Sequence, residues 1–211
     1  MFQTRPKNNS NLFLKLLLRK SLIDLKVVNK GVALDLFAGG GEIAGRLYRD
    51  FRELHLVEKD GRKFARLQSA FSNCPGGRLW KMNNLEFLKG KLHTLSGLSL
   101  VDFDAYGSPN KQLQLFFQNW KIKAPLLVFA TDGFILARIR GSSFSPELYL
   151  AGPDQAKGAG YDPVLFRNFE ILLRGFWDEL AKLHNFRVSL LKILRKKGGQ
   201  IAYYGTFIEP K

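Results

Sequence analysis

Val32-Ala-Leu-Asp35-Leu-Phe37-Ala-Gly39-Gly-Gly41, continued by Glu42-Ile-Ala44 and, further on, by Leu54-His-Leu-Val-Glu58, is the stretch on which the fold turns. An apolar run that ends in glycines reads as a buried strand turning sharply into a helix. Gly39 and Gly41 can take positive φ, and without a Cβ they let a ligand approach the backbone. The helix behind them carries Ile43, Leu47 and Phe51 at intervals of four, one face that can cover a sheet. His55 to Val57 then read as a second strand, with the carboxylate of Glu58 at its end. Strand, glycine turn, helix and strand with a terminal acid make a nucleotide-binding unit. The turn cradles one end of the ligand, and Glu58 accepts hydrogen bonds from a ribose diol.

The flanking sequence extends this unit into a larger sheet. Arg62 to Ser72 reads as a helix burying Phe64, Leu67 and Phe71, and Leu79 to Met82 as a third strand followed by Asn83. Leu85, Leu88 and Leu92 suggest a brief helix, and Leu98 to Phe103 a fourth strand. Pro109 suits the first turn of a helix that buries Leu113, Phe116, Phe117 and Trp120. Pro125 to Ala130, entirely apolar, is a central fifth strand. Gly141 to Pro163, rich in Gly, Pro and Ser and without periodicity, is the kind of long loop that is functional or disordered. Val164 to Leu183 gives the longest helix, with Leu165, Phe169, Leu172, Phe176, Leu180 and Leu183 on its buried stripe. Phe186 to Leu194, a turn at Lys196-Lys-Gly-Gly199 and Ile201 to Ile208 read as a closing hairpin. Upstream, residues 1–9 are polar and basic. Ser10 or Asn11 can cap a helix from Leu12 to Leu25, with Leu14, Leu17, Leu18 and Leu25 on one face.

The fold class is therefore α/β: a doubly wound, mostly parallel sheet with a C-terminal antiparallel hairpin and one reversed strand. Residues 1–29 are a basic N-terminal segment with a helix, and residues 30–211 a single domain. Such a sheet binds ligands at the C-terminal strand edges, where Gly39, Glu58, Asn83 and Asp104 gather.

Gly39-Gly-Gly41-Glu-Ile-Ala44 also satisfies the dinucleotide pattern G-x-G-x-x-G/A, so the unit alone does not name its ligand. Asp35 separates the possibilities, because a carboxylate beside a pyrophosphate site would repel it. The pattern Asp35-x-Phe37-x-Gly39-x-Gly41 resembles the first motif of class I S-adenosylmethionine-dependent methyltransferases, and the resemblance, hairpin included, covers about residues 30 to 210. It implies S-adenosyl-L-methionine as cofactor, with Asp35 under the turn orienting its methionine end. Phe37, Gly39, Gly41, Glu58, Asn83 and Asp102 are the further cofactor-binding positions it implies. Asn83 stands where such enzymes often place an Asp for the adenine amino group, and its amide oxygen can accept the same bond. Asn84 is an equal candidate, and a plain turn role for Asn83 stays open.

Asp102-Phe-Asp104-Ala-Tyr106-Gly-Ser-Pro109 resembles the fourth motif of methyltransferases that act on exocyclic amines, Asp/Asn-Pro-Pro-Tyr/Phe. More narrowly it is similar to the tRNA (guanine-N2) dimethyltransferases, which carry Asp-x-Asp-Pro-Phe/Tyr-Gly-Ser-Pro there. Leu127-Val-Phe-Ala-Thr-Asp132 is a second match, since that family has Ala-Thr-Asp after its fifth strand. The chemistry fits the residue types. A guanine amine has its lone pair delocalised into the ring, so Asp104 accepting its N–H bonds would steer the nitrogen and draw off charge. Tyr106 could stack on the base, which must leave a duplex or stack to be reached. Asp104 and Tyr106 are thus the expected catalytic pair. One departure stands out: Ala105 replaces the family's proline, which would fix φ there. No counterpart of the family's additional C-terminal RNA-binding domain is expected, which leaves the basic N-terminus and the long loop as expected substitutes.

Composition narrows the partners. Thirty-three Lys and Arg against eighteen Asp and Glu leave a net charge of +15, a field that attracts polyanions. Residues 1–30 alone hold seven cations, Arg5, Lys7, Lys15, Arg19, Lys20, Lys26 and Lys30, against Asp24. Nucleic acid, tRNA foremost, is the expected partner, and no membrane or metal is expected. A single cysteine, Cys74, excludes a disulfide framework and makes a reducing cytoplasm the default. Three rival functions remain: a DNA amino-methyltransferase acting on adenine N6 or cytosine N4, a nicotinamide-dependent oxidoreductase, and a non-catalytic nucleic-acid-binding module.

Overall fold

The glycine unit forms as its sequence predicts, from strand β1, Val32–Asp35, through helix α2, Glu42–Leu47, to strand β2, Glu53–Val57. In the computed structural model, residues 11–25, 29–133, 149, 169–195 and 201–211 are described. Residues 1–9, the loop predicted at 141–163 apart from Tyr149, the start of the last helix at 164–168 and the turn at 196–199 lie outside them. Helix α2 is shorter than its periodicity suggests. Residues 48–52 must return the chain to β2, so Phe51, although buried, lies beyond the helix, and Leu47 is only half-buried.

Five further strands complete the sheet: β3 (Gly77–Trp80), β4 (Leu98–Phe103), β5 (Leu126–Asp132), β6 (Phe186–Arg195) and β7 (Ala202–Pro210). Their order is β3-β2-β1-β4-β5-β7-β6. All pairs from β3 to β5 are parallel, whereas β7 runs antiparallel to both β5 and β6. One reversed strand thus closes the sheet.

Helices cover both faces. Helices α4 (Asn84–Gly90), α5 (Asn110–Asn119) and α6 (Phe169–Leu183) pack over one apolar cluster. Helices α1 (Leu12–Ile23) and α3 (Gly61–Phe71) join α2 over the other. Asn11 caps α1 by accepting from the Leu14 N–H at 3.2 Å, and Asp60 caps α3 through Arg62 and Lys63. The α6 stripe runs through Phe169, Leu173, Phe176, Trp177 and Leu180; Leu172 is half-buried and Leu183 exposed, a turn away from the predicted line. Among the described residues no helix is long and apolar enough to cross a membrane.

Helix α1 departs most from expectation. Its buried face is Lys15, Leu18, Arg19 and Leu22, while Leu17 is 48% and Leu25 57% exposed. Two cations occupy positions that the periodic reading reserves for leucine. The sheet explains them: strand registers align Leu56, Asp35, Asp102, Phe129 and Gly205 in one row across its face. Two acids stand in the middle of that row; α1 brings Arg19 to one of them, Asp102, and Lys15 to Asp104 two residues further on.

Candidate active site

The glycine turn is held against the end of β2. Gly39 and Gly41 have φ of 56° and 86°, left-handed values that a Cβ disfavours. A Cβ on Gly41 would also lie 2.5 Å from the Phe71 ring of α3. At Gly39 the nearest atom to an added Cβ is the Phe37 carbonyl oxygen at 3.9 Å, so that side of the turn is open. Glu58 ties the turn down: its carboxylate accepts from the Gly39 N–H at 3.0 Å and from the Asp60 N–H at 2.7 Å. Acid and glycines are therefore adjacent, with the half-buried Phe37 beside them.

Asp35 lies beneath this turn, buried, accepting from the Phe37 N–H at 3.0 Å. Burial, and next the neighbouring Asp102, push its carboxyl well above the ordinary range. Asp102 itself is fully buried and fully engaged. The Arg19 guanidinium meets it with two bonds of 2.7 Å, from Nε and Nη2, and the Tyr48 hydroxyl donates to it at 2.6 Å. Arg19 also lies over the Phe129 ring at 5.3 Å. Burial alone would lower the Arg19 pKa, but the Asp102 carboxylate outweighs it and the guanidinium stays charged. The expected contact of Asp102 with a cofactor is thus corrected. Its two oxygens point into an ion pair under α1, because the register with β1 faces them inward.

Two residues on, Asp104 is on the same face at the strand end, its side chain 15% exposed. Lys15 Nζ sits 2.6 Å from Oδ1 and 2.7 Å from Oδ2, and the Thr131 hydroxyl donates to Oδ1. Burial would raise the Asp104 pKa; Arg19 and Lys15 overcome that and hold the carboxyl below its usual range, ionised. Thr131 belongs to the Ala-Thr-Asp string, so the two matching strings meet in space. They meet again where the Gly133 N–H donates to the Gly107 carbonyl at 2.9 Å. Asp132 turns away and accepts from the buried Tyr149 hydroxyl at 2.6 Å.

Ala105, where the resemblance expects proline, keeps an N–H, which donates to the Phe103 carbonyl at 2.7 Å. The bend that a proline ring would stiffen is closed here by a hydrogen bond. Tyr106 follows with its ring 83% exposed and the Lys63 ammonium 5.5 Å from the ring centre. An aromatic face open to solvent beside an ionised carboxylate can receive a flat ring. Asn83 is the N-cap of α4, its side chain accepting from the Leu85 N–H at 2.8 Å. The turn role left open for it is therefore filled, and its amide nitrogen and the second acceptor site of its oxygen remain.

The structure thus gathers Gly39, Gly41, Glu58 and Asp35 at one strand end and Asp104 and Tyr106 at the next. Sequence reasoning missed Lys15, Arg19, Tyr48 and Thr131. The spacing 15, 18, 19, 22 is helical, but the charges at 15 and 19 hid it.

No family model and no curated protein sequence matches this chain. Solved structures do. TYW2 of M. jannaschii, in complex with AdoMet, superposes with a TM-score of 0.56 at 11% identity, over 97% of this chain and 80% of that one. A Streptococcus thermophilus protein provisionally named a hemolysin gives 0.60 at 16% identity, over 100% and 70%. The yhhF protein of Escherichia coli, provisionally named a methyltransferase, gives 0.55 at 16% identity, over 98% and 90%. Identities this low speak for the fold alone, and the fold is that of the class I methyltransferases.

Proposed function

We propose that this chain, with a class I methyltransferase fold as the premise, is an S-adenosylmethionine-dependent methyltransferase acting on an exocyclic nucleobase amine in RNA, guanine N2 in tRNA foremost. One observation carries the reading: an open glycine turn tied to a strand-end acid lies beside an ionised, oriented carboxylate at the next strand end. The residues fit the cofactor. Glu58 spends one bond per oxygen on the protein, and a carboxylate has about four acceptor sites, so a ribose diol can be accepted there. The open side of Gly39 leaves backbone accessible to the amino-acid end. A neighbour of the same fold is solved with AdoMet.

S-adenosylmethionine, when bound, supplies a methyl group on a sulfonium centre. The chain's own contribution is to the nucleophile. Asp104 accepts an N–H of the amine and so turns the nitrogen toward the methyl. Positive charge that grew on that nitrogen as it took the methyl would be stabilised by the nearby carboxylate, which would also take up the departing proton. Tyr106 stacks on the extruded base. Two exposed cations of α3, Lys63 at that ring and Arg66 beside Gly40, suit phosphate.

The test is tritium transfer from labelled cofactor to tRNA, followed by nucleoside identification. Asp104→Asn should lower transfer by about 10²–10⁴-fold while S-adenosylhomocysteine affinity stays within a few-fold. Equal loss of both would reduce Asp104 to a support of the fold. A second reading, a binding module without catalysis, draws on the engagement of Asp104 by Lys15 and Thr131. Tight tRNA binding with no transfer, at saturating cofactor, would establish that one instead.

A further inference from the structure

Resting on the methyltransferase reading, we infer that Lys15 of the N-terminal helix is a positioning residue of the acceptor site, fixing the Asp104 carboxylate together with Thr131 so that it faces the substrate amine. Among the described residues, Lys15 Nζ donates to Oδ2 at 2.7 Å and lies 2.6 Å from Oδ1, and the Thr131 hydroxyl donates to Oδ1. A carboxylate has about four acceptor sites, so these two donated bonds leave room for an incoming N–H. The two donors, one from α1 and one from β5, set the direction in which the carboxylate is presented.

Lys15 is nine-tenths buried, on a helical stripe whose other members are Leu18, Arg19 and Leu22. An apolar residue would pack there, and a buried ammonium is unfavourable unless paired. Helix α1 does not hang loose above the site. Arg19, one turn on, is locked to Asp102 by two 2.7 Å bonds and donates from Nη1 to the Lys15 carbonyl at 3.3 Å. The Asn11 N–H donates to the Tyr203 hydroxyl at 2.7 Å. Leu22 fits over Gly205, where a Cβ would lie 2.4 Å from its methyl. So mounted, Lys15 is a fixed wall of the site. It also answers the missing proline: the bend at Ala105 is closed by an N–H bond, and the carboxylate is aimed from outside, across 89 residues of sequence.

The charged and titratable groups around Asp104 are Lys15 and Arg19 from α1, Asp102 from its own strand, Asp35 from β1 and Tyr203 from β7, with Thr131 donating from β5. Removing the Lys15 charge therefore lets the Asp104 pKa rise. The experiment uses the full chain and its Lys15→Met, Lys15→Arg and Thr131→Val variants. Transfer to tRNA is followed against pH, and the Asp104 carboxyl carbon is titrated by NMR with no substrate present. Lys15→Met should lower kcat at neutral pH by about 10–100-fold, leave KM for the cofactor within twofold, and move the acid limb of the profile to higher pH. Lys15→Arg should restore most of the rate, and Thr131→Val, which keeps the ion pair, should move limb and titration the same way by less. An Asp104 titration unmoved in both Lys15→Met and Thr131→Val overturns the inference, as does a kcat loss with no movement of the acid limb. Absence of transfer by the unaltered chain would instead sink the methyltransferase reading and with it the role in the reaction; the carboxyl titration would still decide whether Lys15 governs Asp104.

Discussion

Asp35 and Asp102 are register partners across β1 and β4, and the Arg19 guanidinium is bonded to the second of them. Burial and Asp102 raise the folded pKa of Asp35 above its ordinary 3.8. A carboxyl shifted that way favours folding fully below its unfolded pKa and loses that contribution as pH rises through the folded value. Asp35→Asn keeps an oxygen for the Phe37 N–H and removes the proton equilibrium. It should match the parent near pH 3 and exceed it in stability from neutral pH upward, as read by urea unfolding at each pH. Parity at every pH would mean that Asp35 titrates normally. Arg19 is the opposite case. Arg19→Met leaves Asp102 buried without its partner, and breaking such a pair costs roughly 3–5 kcal/mol. Thermal unfolding should register the loss at neutral pH, with Tyr48 the one side-chain donor left to the carboxylate among the described residues.

At the level of elements, α1 depends on a glycine it never touches in sequence. A Cβ on Gly205 of β7 would lie 2.4 Å from Leu22 and 2.8 Å from the Phe129 ring. Leu22 can swing aside, but the ring, held under Arg19, cannot. Gly205→Val should therefore lose about 1–3 kcal/mol and speed amide exchange in α1 before that of β4. Uniform exchange loss would place the strain elsewhere. Most elements were legible in the chain. Apolar runs ending in Gly or Asp gave β1, β4 and β5, and the 64, 67, 71 spacing gave α3, because burial and periodicity are local properties. The face of α1 was not legible. The acids that justify its buried Lys15 and Arg19 lie 89 and 83 residues away, a pairing that no window of sequence contains. In the site, the turn and Glu58 could be read from spacing, and Asp104 only from the motif that its string resembles. Asp102 could not be told from Asp104, since strand alternation puts both on one face and only depth separates them.

For the whole molecule, the charge of +15 and the pocket chemistry make separable demands. Binding of tRNA through phosphates should weaken with log salt at about 0.7–0.9 per phosphate, so six contacts would lose about 10³-fold between 50 and 200 mM. S-adenosylhomocysteine carries no net charge at pH 7, and its affinity should be flat over that range. Binding only to the folded chain, it stabilises by about 2.7 kcal/mol at a hundredfold excess over Kd. In a chain of this size that raises Tm by about 5–10 °C, whereas NAD should raise it by nothing. A shift with NAD would return the glycine turn to the dinucleotide reading that its spacing also allows. If the cofactor analogue instead bound more weakly with salt in step with tRNA, the glycine turn and the basic surface would be one electrostatic site. The open side of Gly39 and the zwitterionic, net-neutral analogue argue for two: a small site chosen by shape, and a polyanion surface around it chosen by charge.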